Sequence, residues 1–489
     1  LSDFGGVADD LPQDLPSDEA AQPVHASRIA FVTPRAASPV PATAIPAPAA
    51  PIAAHAATET ARSDGLARYL DDTGAQVDTL IAQGQHEHAL VQIVQAVSRD
   101  FCRPDAVHKS LYYPQFDRQI ERLAKALAAQ RPSTEPSAGG THNVTIATEL
   151  YEVGGHSRLV EDFARELDNP VLILTDVFGT YERDPSKLKW VRERLKGVLL
   201  VTLPPLSPWA KCATLHDLVS SLQAKNLFYF NHHQDALPFV ATLGLPVHKA
   251  LVHHCDHNPS LGCTLEGVQH ADITLSLQAT CSQHLAQPST TLRLHVADQG
   301  VKTFPELRGR DFSVVTSGRS GKFSRSGPFA LQEIVRTALQ ACTGEFIHVG
   351  PLDAPWLQQI HAHLEAHGIE ARRLRSTGTV PSLWATLKEL DAAFYIGSAP
   401  VSGGRAGVEA QGCGYPVLPF KGFEEGSLLA DYSSYAGEGA LGWASLEELG
   451  TLLGQLGPRH RELSVAARRF YDETFSRAEF RRQLQALSA

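Results

Sequence analysis

The chain has 489 residues, more than one ordinary domain accommodates, so about two to four domains are expected. Its composition is that of a folded globular protein, 43% hydrophobic and 20% charged, and a net charge of −10 argues against nucleic acid as the main partner. No apolar run approaches the ~18 residues of a membrane span, no charged-then-apolar leader opens the sequence, and seven cysteines lie scattered without C-x-x-C spacing, the pattern of reduced thiols in a cytoplasmic protein.

Residues 1–60 contain the tract VTPRAASPVPATAIPAPAAPIAAHAA, which holds too little large apolar surface to offset its ordering entropy; a disordered Pro/Ala-rich tail is expected. From 61 to about 130, in LARYLDDTGAQVDTLIAQGQHEHALVQIVQAV and FDRQIERLAKALAAQ, apolar residues recur every three or four positions, which predicts packed amphipathic helices. RPSTEPSAGG (131–140) reads as a linker, so 61–140 is taken as a helical N-terminal domain and linker. Short apolar runs then alternate with helical stretches: strands are predicted at 143–148, 171–176, 198–203, 227–231, 249–254 and 272–277. After a connector near 290–310 the pattern restarts at 311–318, 345–350, 370–375, 391–396 and 415–420. Such alternation implies parallel sheets covered by helices on both faces. The expected fold class is α/β, two facing doubly wound (Rossmann-like) domains at 141–300 and 301–470, with a C-terminal helix at 471–489 long enough to pack back across them.

In doubly wound sheets ligands bind beyond the carboxyl ends of the strands, and the informative loops of this chain lie there. Strand 143–148 leads into Gly154-Gly155-His156-Ser157-Arg158, where small residues admit a ligand and His156 projects from the first helical turn. Two later strands end in Asn231-His232-His233-Gln234-Asp235 and in His253-His254-Cys255-Asp256-His257-Asn258. Histidines and acids so grouped serve as metal ligands, general bases or a polar network. Zinc sites carry more regular His/Cys spacing, so no metal site is assigned. A neutral His removes a proton near pH 7, and Asp256 beside His257 would orient it. Other histidines of the group, His232 or His253 foremost, would satisfy strand-end backbone groups.

In the second unit Thr316-Ser317-Gly318-Arg319-Ser320-Gly321-Lys322 combines hydroxyls, glycines and two cations suited to phosphate, without the Walker A pattern. His348 and Gly350 after the next strand, and Val380 before a helix, add backbone groups suited to a nucleotide base. In Ser402-Gly403-Gly404-Arg405-Ala406-Gly407-Val408-Glu409 a small-residue loop enters a helix, whose free N–H groups and dipole would seat a diphosphate; Glu409, one turn in, would accept ribose hydroxyls.

Together these features resemble a GT-B glycosyltransferase over residues 141–489, and GGHSR with HHCDHN-x-x-LG is similar to the bacterial cytoplasmic transferases near the O-GlcNAc transferase and adhesin N-glucosyltransferase group. The resemblance implies a UDP-sugar donor as co-substrate, no further cofactor, phosphates near 317–322 and 403–406, the ribose at Glu409, and an acceptor, protein or glycan, entering past His156 and the 253–258 loop. Many retaining members carry a second Glu before the helix Glu; Val401 and Ser402 stand there in this chain, which implies an inverting displacement, and the absence of an obvious D-x-D motif agrees with a metal-independent one. Two other readings share the architecture: a nucleotide-sugar epimerase, and a non-catalytic acceptor-binding subunit.

Overall fold

A computed structural model describes residues 59–100, 111–131, 140–152, 155–254, 259–400, 404–422, 437 and 441–488. The Pro/Ala tract lies outside them. Three helices come first: α1 (Glu59–Ala82), α2 (His86–Asp100) and α3 (Pro114–Ala128). Pro114 opens α3, where its missing N–H costs nothing, and Phe116, Ile120, Leu123 and Leu127 form its buried stripe at helical spacing. That stripe packs into one core with Val144, Leu227, Tyr229 and Phe239 of the following unit, so the helices cap one face of the first sheet instead of building a core of their own. The join is also polar. The buried Asp117 carboxylate accepts the N–H groups of Gly262 (2.7 Å) and Thr264 (2.9 Å) and the Thr264 hydroxyl (2.6 Å).

The first unit runs β1 (His142–Ala147), α4 (Gly155–Glu166), β2 (Pro170–Leu174), α5 (Thr180–Arg183), α6 (Pro185–Arg194), β3 (Leu199–Thr202), α7 (Pro208–Ser221), β4 (Ala224–Phe230), α8 (Leu237–Thr242), β5 (His248–His253), β6 (Gln269–Asp272), α9 (Leu275–His284) and β7 (Ser289–Thr291). Its seven strands pair in the order β3-β2-β1-β4-β5-β6-β7, all parallel. The second unit runs β8 (Val314–Ser317), α10 (Leu331–Ala341), β9 (Phe346–Val349), α11 (Ala354–Ala366), β10 (Leu374–Ser376), α12 (Leu383–Glu389), β11 (Phe394–Ile396), α13 (Gly404–Gly412), β12 (Val417–Leu418) and α14 (Leu446–Leu456). Its five parallel strands pair as β10-β9-β8-β11-β12. In both sheets the order reverses beside the first strand, the doubly wound switch point.

Three strand expectations change. The run at 272–277 splits between the end of β6 and the start of α9, because the Thr274 hydroxyl accepts the Leu277 N–H at 3.0 Å and starts a helix. Residues 371–373 form a 3₁₀ turn, and β10 follows them. The connector after 290 begins inside a strand, β7.

The chain closes with α15 (His460–Thr474) and α16 (Arg477–Leu487). Tyr471 of α15 packs on Trp384 of the second unit at 5.3 Å between ring centroids. Phe480 of α16 meets Phe163 of α4 in the first, while Arg477 and Arg481 both donate to Glu166 at 2.6 and 2.5 Å. One apolar cluster therefore runs from α4 through β8, β9 and α13 to α16, and the carboxyl ends of the two sheets share one crevice.

Candidate active site

On the first unit's side, the ends of β1, β2 and β4 are locked by a buried carboxylate. Asp235 accepts the hydroxyls of Thr148 (2.7 Å) and Thr175 (2.6 Å) and the N–H of Leu237 (3.1 Å), and Thr148 Oγ1 accepts the N–H of His232 at 2.8 Å. The loop into α4 is held by two hydroxyls: Tyr181 takes the Leu150 N–H and Ser157 the Tyr151 N–H, each at 2.6 Å. These bonds aim His156 at the strand ends. Its ring centroid lies 4.5 Å from that of His254 and 5.1 Å from that of His232, and His233 stands 5.1 Å from His254.

The tautomer of His156 follows from its partner. Nε2 lies 2.6 Å from the Phe230 carbonyl oxygen and so donates to it. Nδ1 then carries the lone pair, and it is buried without a hydrogen-bond partner among the described residues. Burial lowers the His156 pKa to about 4, partly opposed by the Phe230 carbonyl. Burial and the neighbouring His156 lower His232 to about 3, and His254 is driven well below its usual range by burial and then by His156 and His233. His156, His232 and His254 are therefore neutral imidazoles at pH 7.

Two residues without a sequence signal of their own, Glu149 and Tyr151, join them. Glu149, 4% exposed, accepts the Tyr151 hydroxyl through Oε1, which also lies 4.0 Å from His232 Nδ1; Oε2 is buried with no hydrogen-bond partner among the described residues. Tyr151 stacks on His232 at 5.6 Å and presents its ring to the crevice. Burial and the Glu149 charge raise the Tyr151 pKa, and the positive charge of Arg319, from the second unit, pulls it back. Arg319 of the basic loop is thus near enough to Tyr151 for its charge to act there. No spacing rule signals this pair: Glu149 and Tyr151 stand in an ordinary strand-end loop.

The second unit's side is built from backbone. Gly318 donates to the Val349 carbonyl at 3.0 Å and Gly350 to the Gly378 carbonyl at 2.9 Å, so the loops after β8, β9 and β10 lie against one another. Gly350 has φ +136°, and a Cβ there would collide with the Gly318 carbonyl oxygen. Arg319 precedes the 3₁₀ turn Ser320–Lys322 and Lys322 ends it, with the Lys322 stem beside Gly318. The Ser317 hydroxyl is occupied with that of Tyr395 at 2.6 Å. The His348 side chain does not line the crevice. It is fully buried with its ring edge-on to Phe323 at 5.3 Å, and burial lowers its pKa to about 4. What this strand end offers is the Gly350 backbone. Val380 is half-buried against the apolar cluster between the units.

Gly404 begins α13, and Ala406 sits in its first turn. Arg405 is turned away from a donor-facing role: its guanidinium donates to Asp162 of α4 at 2.7 Å and to Glu409 at 3.2 Å. Glu409 also accepts the Trp384 N–H at 3.0 Å, holding the start of α12 against α13, and burial raises its pKa while Arg405 opposes. Each carboxylate oxygen keeps capacity for a further donor. Asp256, His257, Ser402 and Gly403 lie outside the described residues, as do Val401 and Gly154. Among the described residues no helix is long and apolar enough to cross a membrane, and the described cysteines are free thiols.

No family model matches the chain, and no curated protein matches it in sequence. Solved structures do match. A mutant of the O-GlcNAc transferase of Thermobaculum terrenum aligns at 15% identity and a TM-score of 0.50, over 86% of this chain and 85% of that one. A glycosyltransferase from Rickettsia africae ESF-5 aligns at 13% identity and 0.52, over 71% of this chain and 98% of its own. Anabaena HepE in complex with UDP aligns at 16% identity and 0.52, with the same coverages of 71% and 98%. The fold is that of the GT-B glycosyltransferases.

Proposed function

We propose that this protein is a glycosyltransferase that moves a sugar from a UDP-sugar to a protein side chain, with inversion and without a metal ion in the chemical step. The observation that carries the reading is the pairing across one crevice of a cationic glycine loop, 317–322, with a cluster of neutral imidazoles and a half-satisfied buried carboxylate. The GT-B fold and the UDP held by one of its neighbours support the donor class; the acceptor class rests on the GGHSR and HHCDHN resemblance.

In this mechanism the acceptor proton passes to His156 or His257, the acceptor atom forms its bond to the anomeric carbon, and the bond to the diphosphate oxygen breaks. Arg319, Lys322 and the first turn of α13 at Gly404 and Ala406 stabilise the charge that develops on the departing UDP. Glu409 receives the ribose, and the Gly350 and Val380 backbone the base.

Thermal unfolding with UDP and a panel of UDP-sugars tests the reading. A ligand at one hundred times its Kd stabilises the folded state by about 2.7 kcal/mol, so binding is expected to raise Tm visibly. The same donor should support transfer to protein acceptors, and Lys322→Ala is expected to reduce turnover roughly 10²-fold with Tm unchanged, in line with loss of one leaving-group contact. Conversion of donor without acceptor would identify an epimerase, and absence of any nucleotide effect a binding subunit; either result overturns the proposal.

A further inference from the structure

The proposed transfer leaves a second polar cluster of the first unit unused. His253 ends β5, Asp272 ends β6 directly opposite it in the parallel register, His270 lies two residues earlier on the same face, and Cys281 comes from α9. All four are at most 1% exposed, and their ligating atoms lie within 4.8 Å of one another.

Hydrogen bonding alone fits this arrangement poorly. Asp272 Oδ1 has His253 Nδ1 at 3.1 Å, His270 Nε2 at 3.1 Å and Cys281 Sγ at 3.3 Å. That is three donors for an oxygen with two lone pairs, while Oδ2 already accepts the Ser289 hydroxyl. His253 Nδ1 is also 3.6 Å from Cys281 Sγ. Zinc bonds of about 2.0–2.2 Å to N and O and about 2.3 Å to S, at tetrahedral angles, require N···O separations of about 3.3 Å and N···S or O···S separations of about 3.5 Å. Four of the six separations, the three from Asp272 Oδ1 and the one from His253 Nδ1 to Cys281 Sγ, are close to the edges of such a tetrahedron, and the other two are within 4.8 Å.

We propose that His253, His270, Asp272 and Cys281 form a structural zinc site. One carboxylate, one thiolate and two neutral imidazoles balance Zn²⁺, so the filled site buries no net charge. The Cys281 thiol proton leaves to solvent as the metal binds. The two anionic ligands have outer partners: the Tyr112 hydroxyl donates to the Cys281 sulfur at 3.2 Å, and Ser289 to the outer oxygen of Asp272. With four protein ligands the site has no open position for substrate, so its role is to brace β5, β6 and α9. It thereby fixes the strand end from which His254 faces His156. The proposal does not depend on the glycosyltransferase reading.

The test is elemental analysis of the full chain, purified without a histidine tag or chelator. About one zinc per chain is expected, Tm should fall on chelation and recover with ZnCl₂, and Co²⁺ in place of zinc should show tetrahedral d–d bands with a thiolate charge-transfer band. Cys281→Ser should abolish that charge-transfer band. A wild-type protein that takes up no zinc from ZnCl₂ and whose Tm ignores chelator would overturn the proposal without recourse to any variant. Stoichiometric Co²⁺ with no thiolate band, or a band that survives Cys281→Ser, would overturn it as well by placing the ion elsewhere.

Discussion

His156, His232 and His254 are imidazoles whose neutral form is enforced by burial and, for His232 and His254, by neighbouring imidazoles as well. In the unfolded chain they titrate near 6.5. Below that pH the unfolded state binds protons that the folded state refuses, so stability falls as pH drops from about 6.5 toward 4 and is unaffected by these groups above 6.5. Each contributes a slope of up to about 1.4 kcal/mol per pH unit. Buried carboxylates such as Asp117, raised to about 6 by burial, act in the opposite direction over part of this range, so the informative quantity is a difference between proteins. His232→Gln is expected to lose less stability than wild type between pH 7 and 5 in urea titrations. Equal losses would mean that His232 is already protonated in the folded protein at pH 5.

At the scale of elements, the second unit's half of the crevice depends on how closely three loops approach. The Gly318 carbonyl lies against Gly350, whose backbone takes a conformation with φ +136°. Gly350→Ala must push the loops after β8 and β9 apart, which by comparison with overpacked cores costs about 1–3 kcal/mol. Calorimetric titration with UDP is expected to show weakened binding alongside a lowered Tm; a variant with wild-type affinity would remove this loop pair from the donor site. Only backbone is expected of this strand end, and the His348 ring is indeed sealed inside beside Phe323.

For the whole molecule, the question is what holds two separately wound sheets at a fixed opening. Arg405 of α13 reaches across to Asp162 of α4 while remaining tied to Glu409, and both partners of this bridge are mostly buried. A double-mutant cycle with Asp162→Ala and Arg405→Ala is expected to give a coupling of about 0.5–3 kcal/mol in urea unfolding, the range for contacting, partly buried groups. Additive losses would show that this bridge does not help hold the units together. The bridge also assigns Arg405 a task between the units that the glycine-rich helix start did not suggest.

The alternation of apolar runs with helical stretches, and the small-residue loops at their carboxyl ends, determined two parallel doubly wound units and the edge at which sheets of this kind offer a site. Those signals are local: strand and helix periodicity, Gly-permitted turns and N-terminal helix caps act within a few residues. Even so, cap chemistry at Thr274 moved one strand boundary that hydrophobicity alone misplaced. Only the tertiary structure decided which side chains meet. It set Glu149 and Tyr151 beside His232, turned Arg405 toward Asp162, closed His348 away from the crevice, and gathered His253, His270, Asp272 and Cys281 from three elements. These groupings arise from strand order, register and packing between distant segments, and sequence spacing carries no trace of them.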